Sequence, residues 1–272
     1  MTTLLTVDGL AVRYAGSRRP SISNISLQLA EGEVLGVVGE SGSGKTTLGL
    51  SLLSLLPAGA EMSGSILFDG QQIVGAPERA VRPLRGTRLS TIVQNPATAL
   101  NPSFSIGSQM TALLRRHKKI SRADAHTLAI DWLARVGIGE PENRMRSYAH
   151  QLSGGMNQRV VIAMALALSP RLVIADEPTS ALDVTVQAAI LGLLKDLIAD
   201  SGSSMLLITH DLGVVAQMCD SVAVMKDGAM TESGPVRQIF HSPQTAYTRQ
   251  LLAAQPSHAA SSPAALQNEV VR

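Results

Sequence analysis

Cysteine is almost missing from this 272-residue sequence: Cys219 is the only one. A disulfide framework is therefore excluded, and a reducing compartment suits the chain. Aromatic residues make up only 3% of it, with one Trp, three Tyr and three Phe. A surface that stacks single-stranded bases would have little to build on. The formal net charge of +2 argues neither for nor against nucleic acid. The longest apolar run, Val160 to Leu168, is far short of the roughly 20 residues that span a bilayer. No charged-then-apolar leader opens the chain, so it is expected to be soluble on its own.

What is present reads as globular, with 45% apolar and 16% charged residues. The length suits one large core, or one core plus a subdomain. Leu4–Val7 and Ile25–Leu29 read as strands, the second alternating with period 2. Ser65–Phe68 followed by Asp69-Gly70 reads as a strand and a turn. Further apolar runs at Val34–Val38, Thr91–Val93, Leu172–Ala175, Met205–Ile208 and Val222–Met225 mostly lack alternation, which suits a parallel sheet covered on both faces. Between Ser108 and Leu168 helical periodicity replaces the strand signal, so this block is expected to be an inserted helical subdomain (about 103–168). From Gln255 onward Pro, Ser and Ala dominate, and residues 255–272 are expected to form a frayed tail after a domain of 1–254. The basic run Arg115-Arg116-His117-Lys118-Lys119 reads as a solvated helix face rather than a lipid-binding patch.

Residues Gly39-Glu40-Ser41-Gly42-Ser43-Gly44-Lys45-Thr46 spell G-x-x-x-x-G-K-[ST] between an apolar strand and a stretch, Thr47–Leu53, that reads as a helix with an apolar stripe. Three glycines let the backbone turn its N–H groups inward as an anion nest. The helix N-terminus adds its dipole. Lys45 is placed to reach the β- and γ-phosphates of a nucleoside triphosphate and the Thr46 hydroxyl to ligate Mg²⁺. Asp176 ends an apolar strand, where a carboxylate reaches a metal through its water shell. Glu177, one residue on, can polarise an attacking water. Leu152-Ser153-Gly154-Gly155-Met156 opens a run through Leu168 that is apolar on nearly all sides and reads as a buried helix. Alone, that opening is an ordinary helix start. His210 after the strand Met205–Thr209 would be a capping or surface residue, Tyr14 a packing residue, and Asp183 an N-cap for a helix carrying Val186, Ile190, Leu193, Leu194 and Leu197 on one face.

Taken together, these motifs resemble the nucleotide-binding subunit of an ABC transporter, from about Leu4 to Leu252. The resemblance implies an α/β fold: a P-loop NTPase parallel-sheet core, a flanking antiparallel β-subdomain and the inserted helical subdomain. It implies ATP and Mg²⁺ as cofactors. Tyr14 stacks on adenine, and Gly39, Ser41, Gly42, Ser43, Gly44, Lys45, Thr46, Thr47 and Gln94 bind nucleotide. Thr46, Gln94 and Asp176 serve the metal, with Glu177 and His210 catalytic. Ser153, Gly154 and Gly155 match the signature that binds ATP held by a partner subunit. Asp183, in Ser180-Ala181-Leu182-Asp183, matches the D-loop at the dimer interface.

Finer resemblance points to the peptide/nickel importers, carried by Gln94–Pro102, Ala181–Gln187, Thr209–Ala216 and the stretch from Ile239-Phe240 to Leu252. Implied partners are a second ABC ATPase subunit, two transmembrane permease subunits and a substrate-binding protein, with no nucleic acid. The implied location is peripheral, at the cytoplasmic face of the cell membrane. Many peptide-type members carry a cysteine-bearing extension; this sequence stops at Arg272, which leans the reading toward a nickel or metallophore substrate. An ABC-type ATPase acting on DNA or ribosomes would carry a long heptad insertion or two cassettes. A P-loop kinase would not need the signature.

Overall fold

The structure is a computed structural model that describes residues 2–180 and 182–254. Among the described residues, ten strands form two sheets: β1 (Thr3–Arg13), β2 (Ile22–Ala30), β3 (Val34–Val38), β4 (Glu61–Phe68), β5 (Gln71–Gln72), β6 (Leu89–Ile92), β7 (Leu172–Asp176), β8 (Ser204–Thr209), β9 (Ser221–Lys226) and β10 (Ala229–Pro235). The larger sheet has the order β10-β9-β3-β8-β7-β6. β3 runs parallel to β8 and β9, and β7 parallel to β6 and β8. β10 returns antiparallel on β9. The smaller sheet, β2-β1-β4-β5, is antiparallel throughout. This is the expected α/β core with a flanking antiparallel sheet.

The missing alternation in the central strands has a direct cause. All six residues of β8 are buried. Met205 and Leu207 join a core shared with the helices, whereas Leu206 and Ile208 join the core beneath the antiparallel sheet. In β7, Val173 and Ala175 go one way and Leu172 and Ile174 the other. Side chains still alternate across the pleat, but both faces are covered, so both must be apolar. Asp69 and Glu31 tie the antiparallel layer to this core, Asp69 pairing with Arg88 and Arg171 and Glu31 with Arg171.

Between β6 and β7 stand the helices Ile106–Lys118, Arg122–Arg135, Pro141–Arg144 and Gly154–Leu166, with no strand among them. Ser105, Ser121 and Ser153 cap three of these by accepting from the backbone N–H three residues on, satisfying an otherwise orphan donor. The single Trp132 is buried there with the Arg135 guanidinium 4.1 Å from its ring centre. Arg115–Lys118 occupy the last turn of their helix and are exposed, where positive charge complements the dipole.

Boundaries and two strands differ from expectation. β1 runs well past Val7, because register shifts around Asp8–Gly9 let it bend and keep pairing. The first helix starts at Lys45 rather than Thr47. β5 and β10 carry no apolar pattern and were not anticipated. Each follows an Asp-Gly pair with positive φ at both residues: Asp69 and Gly70 (49° and 75°), then Asp227 and Gly228 (48° and 78°), the signature of tight hairpin turns. The helices Val236–His241 and Ala246–Ala253 close the described chain and pack with Val38, Val222 and Val224 in a third small core. The expected tail from Gln255 lies outside the described residues.

Candidate active site

Parallel strands end at one edge of the sheet, and side chains at their C-terminal ends converge there. β3 leads into Gly39–Lys45, β6 leads to Gln94, β7 ends at Asp176 and delivers Glu177, and β8 leads to His210. The resulting cleft has a volume of about 560 Å³ and is lined by Ser41, Gly42, Gly44, Lys45, Thr46, Thr47, Gln94, Asp176 and Glu177, together with Pro20, Ser21, Asp227 and Gly228.

The loop is tightly determined. At Gly39 (φ 157°) a Cβ would collide with the carbonyl oxygen of Met225, so backbone of β9 excludes any other residue. Lys45 is buried, and its Nζ donates to Gly39 O and Glu40 O, both at 2.8 Å, and to Ser43 Oγ at 3.3 Å. Burial lowers the Lys45 pKa, while Glu177 and Asp176 pull it back up. Three acceptors thus hold the ammonium within the loop. The Tyr14 hydroxyl lies 3.1 Å from Thr47 Oγ1, and either oxygen can donate.

Asp176 is raised above the usual carboxylate range by burial, opposed by a hydrogen bond from Thr46 and reinforced by the charge of Glu177. Thr46, Asp176 and Gln94 line the same cleft, and a hydroxyl, a carboxylate and an amide oxygen are hard donors whose chemistry fits Mg²⁺. Glu177 takes φ 44°, uncommon for a non-glycine residue and a source of local strain. Its N–H donates to Ile208 O at 2.8 Å. Its carboxylate accepts from Gln94 Nε2 at 2.8 Å and meets His210 Nδ1 at 2.9 Å.

Ser153, Gly154 and Gly155 are not brought to this cleft. Ser153 caps its helix through Met156 N at 3.3 Å. Ser153 and Gly154 are exposed. A Cβ on Gly155 would lie 2.8 Å from Val186 Cγ1, so the helix start packs closely on the helix Val184–Ser201. Asp183 caps that helix through Val186 N at 3.0 Å, as its position suggested. Two features of the cleft were missed from sequence: the Pro20-Ser21 rim, which carries no signal of its own, and Asp227-Gly228, which the Asp-Gly pair could have flagged.

Residues 22–180 match the family described as ABC transporter. The chain belongs to the ABC transporter family. The chain is an ATPase of that family. It is 51% identical over 257 residues to the peptidoglycan transport ATP-binding protein YejF of Agrobacterium fabrum, covering 93% of this chain and 47% of that one. The chain thus spans about half the length of that relative. It is 46% identical over 261 residues to the oligopeptide transport ATP-binding protein OppD of Bacillus subtilis, covering 94% of this chain and 73% of the relative. Among solved structures, the dimeric ATP-binding cassette MJ0796 bound to ADP and Pi superposes with a TM-score of 0.75 at 26% identity, covering 86% of this chain and 99% of that one.

Proposed function

We propose that this ABC transporter chain is the ATP-hydrolysing subunit of a peptide importer, acting as half of a head-to-tail pair of ATPase subunits. The observation that carries this reading is the separation within one chain: the phosphate loop and carboxylates share a cleft, with His210 held against Glu177, while the Ser153–Gly155 helix start faces outward. An exposed helix N-terminus offers free donors and a positive dipole end. On a second subunit, it would meet the γ-phosphate from the side opposite Lys45. The likeness to a cassette described as dimeric supports the pairing.

In this reading the backbone from Gly39 through Ser41, Gly42, Ser43, Gly44 and Thr47 cradles the phosphates, Lys45 reaches the β- and γ-phosphates, and Tyr14 stacks on adenine. Thr46, Asp176 and Gln94 hold Mg²⁺, which when bound neutralises charge on the phosphate oxygens. Glu177 accepts a proton from the attacking water, oriented by Gln94 and His210. Asp183 lies at the seam between subunits. ATP binding closes the pair and hydrolysis reopens it, each shifting the population of a two-state assembly.

The partners are a homologous second ATPase subunit, two transmembrane permease subunits and a substrate-binding protein. No helix among the described residues is long and apolar enough to cross a membrane. We place the chain peripherally, on the cytoplasmic face of the permeases. We assign peptide, rather than a nickel chelate, as the cargo, because YejF and OppD are both named for peptide or peptidoglycan transport.

Reconstitution of the chain with its co-purifying permeases in liposomes tests the assignment. ATP turnover should rise when a peptide-loaded binding protein is added. Stimulation by a nickel-loaded binding protein alone would reassign the cargo, and turnover indifferent to permeases would reject the importer role.

A further inference from the structure

The Gly39–Glu40 peptide group is held from both sides. Its carbonyl oxygen, on Gly39, accepts from Lys45 Nζ at 2.8 Å. Its N–H, on Glu40, donates to the hydroxyl of Tyr247 at 3.3 Å, 207 residues away in sequence. A peptide unit is a rigid plane, so the hydroxyl on one edge and the ammonium on the other fix a single orientation. Without them, a peptide that follows a glycine turns readily. We propose that Tyr247 is a positioning residue of the ATP site: by fixing the Gly39–Glu40 peptide it presets the loop that receives the triphosphate and sets how tightly nucleotide is held. This rests on the cleft being the ATP site.

The Tyr247 hydroxyl is itself placed by independent contacts. The residue is 8% exposed and packs within the small core of Val38, Leu212, Val215 and Ile239. Lys226 Nζ lies 4.6 Å above its ring centre, a cation–π contact. The start of its helix is fastened to Glu232 on β10, whose carboxylate accepts from Gln244 N at 2.7 Å, Thr245 N at 3.1 Å and Thr245 Oγ1 at 3.0 Å. Thr245 then caps the helix through Thr248 N at 3.1 Å. Burial holds the phenol above its ordinary pKa, so the hydroxyl stays neutral and can accept from Glu40 N. A ring kept only for packing would not need this oxygen opposite the phosphate loop. When Lys45 turns from Gly39 O to a phosphate, Tyr247 remains as the constraint on that peptide. The affinity cost of ordering the loop is then smaller.

Tyr247→Phe removes the hydroxyl and keeps the ring. In the full-length chain, titration with Mg²⁺-ATP should show affinity weakened about three- to tenfold, the range expected for one hydrogen bond. The melting temperature should stay close to that of the unaltered chain. In the assembled transporter, KM for ATP should rise more than kcat falls. Glu232→Gln, which loosens the seat of the same helix, should weaken affinity in the same direction and less than additively with Tyr247→Phe. Unchanged affinity in Tyr247→Phe, or a loss confined to Tyr247→Ala, would overturn the role and leave Tyr247 a packing residue. Lys45→Ala in the same titration keeps the two readings apart. If it too binds Mg²⁺-ATP normally, the ATP-site assignment fails; if it loses binding while Tyr247→Phe does not, only the role of Tyr247 falls.

Discussion

His210 Nδ1 lies 2.9 Å from Oε1 of Glu177, while the other carboxylate oxygen accepts from Gln94 Nε2 at 2.8 Å. The sheet order explains the bracket. β7 sits between β8 and β6, so the residue just after β7 is flanked by residues that follow each neighbour. Glu177 is thereby aimed by two side chains on a strained backbone, the arrangement expected of a preorganised base.

Glu177→Gln keeps the shape and removes the basic oxygen. Steady-state turnover in the assembled complex should fall by about two orders of magnitude or more, with Mg²⁺-ATP affinity retained. Coupled-enzyme kinetics beside equilibrium titration checks this; normal turnover would refute the base assignment.

Ser153→Arg places a bulky cation at an exposed helix start that does not line the chain's own cleft. The free subunit should bind ATP as before, and the assembled complex should lose turnover. If the free variant lost binding, the signature would be acting within its own chain.

Asp176 is raised by burial, so the folded chain binds its proton more readily than the unfolded chain does. Once pH exceeds the ordinary carboxylate pKa, the ionised group costs stability. Asp176→Asn should therefore raise the melting temperature of the nucleotide-free chain near pH 7. The gain should shrink as pH falls from the raised value towards the ordinary carboxylate value and vanish below it, where both states are protonated. The same variant should lose stabilisation by Mg²⁺-ATP, a trade of function against stability. A lower melting temperature at pH 7 would contradict this reading.

Cys219 is pushed up to about 12 by burial, helped by the charge of Asp220. The thiolate is the reactive species, and at pH 8 such a thiol is ionised in only about one molecule in ten thousand. Alkylation should be very slow in the folded chain and fast in denaturant. Prompt labelling of the folded chain would show that the thiol opens to solvent.

Much of this was legible because the relevant chemistry is local. The phosphate loop, the Asp-Glu pair after an apolar strand and the Asp183 cap each lie within a few residues. Val34–Val38 and Met205–Ile208 revealed a sheet covered on both faces, because both sides of each strand must be apolar. β10 stayed hidden: its sequence, AMTESGP, is polar, and only the preceding Asp-Gly turn hints at a return strand. Ser21 in the cleft wall and Tyr247 against Glu40 were illegible for a different reason. Both depend on which distant segments the sheet order brings together, and no short window of residues contains that information.

Turnover of the chain held strictly monomeric, beside turnover of the same chain in the assembled transporter, tests the central claim most directly. The account predicts a monomer that binds Mg²⁺-ATP yet hydrolyses it at a small fraction of the assembled rate, because Glu177 lacks the partner subunit's signature helix start across the γ-phosphate. A monomer that hydrolyses ATP at the full assembled rate would contradict it.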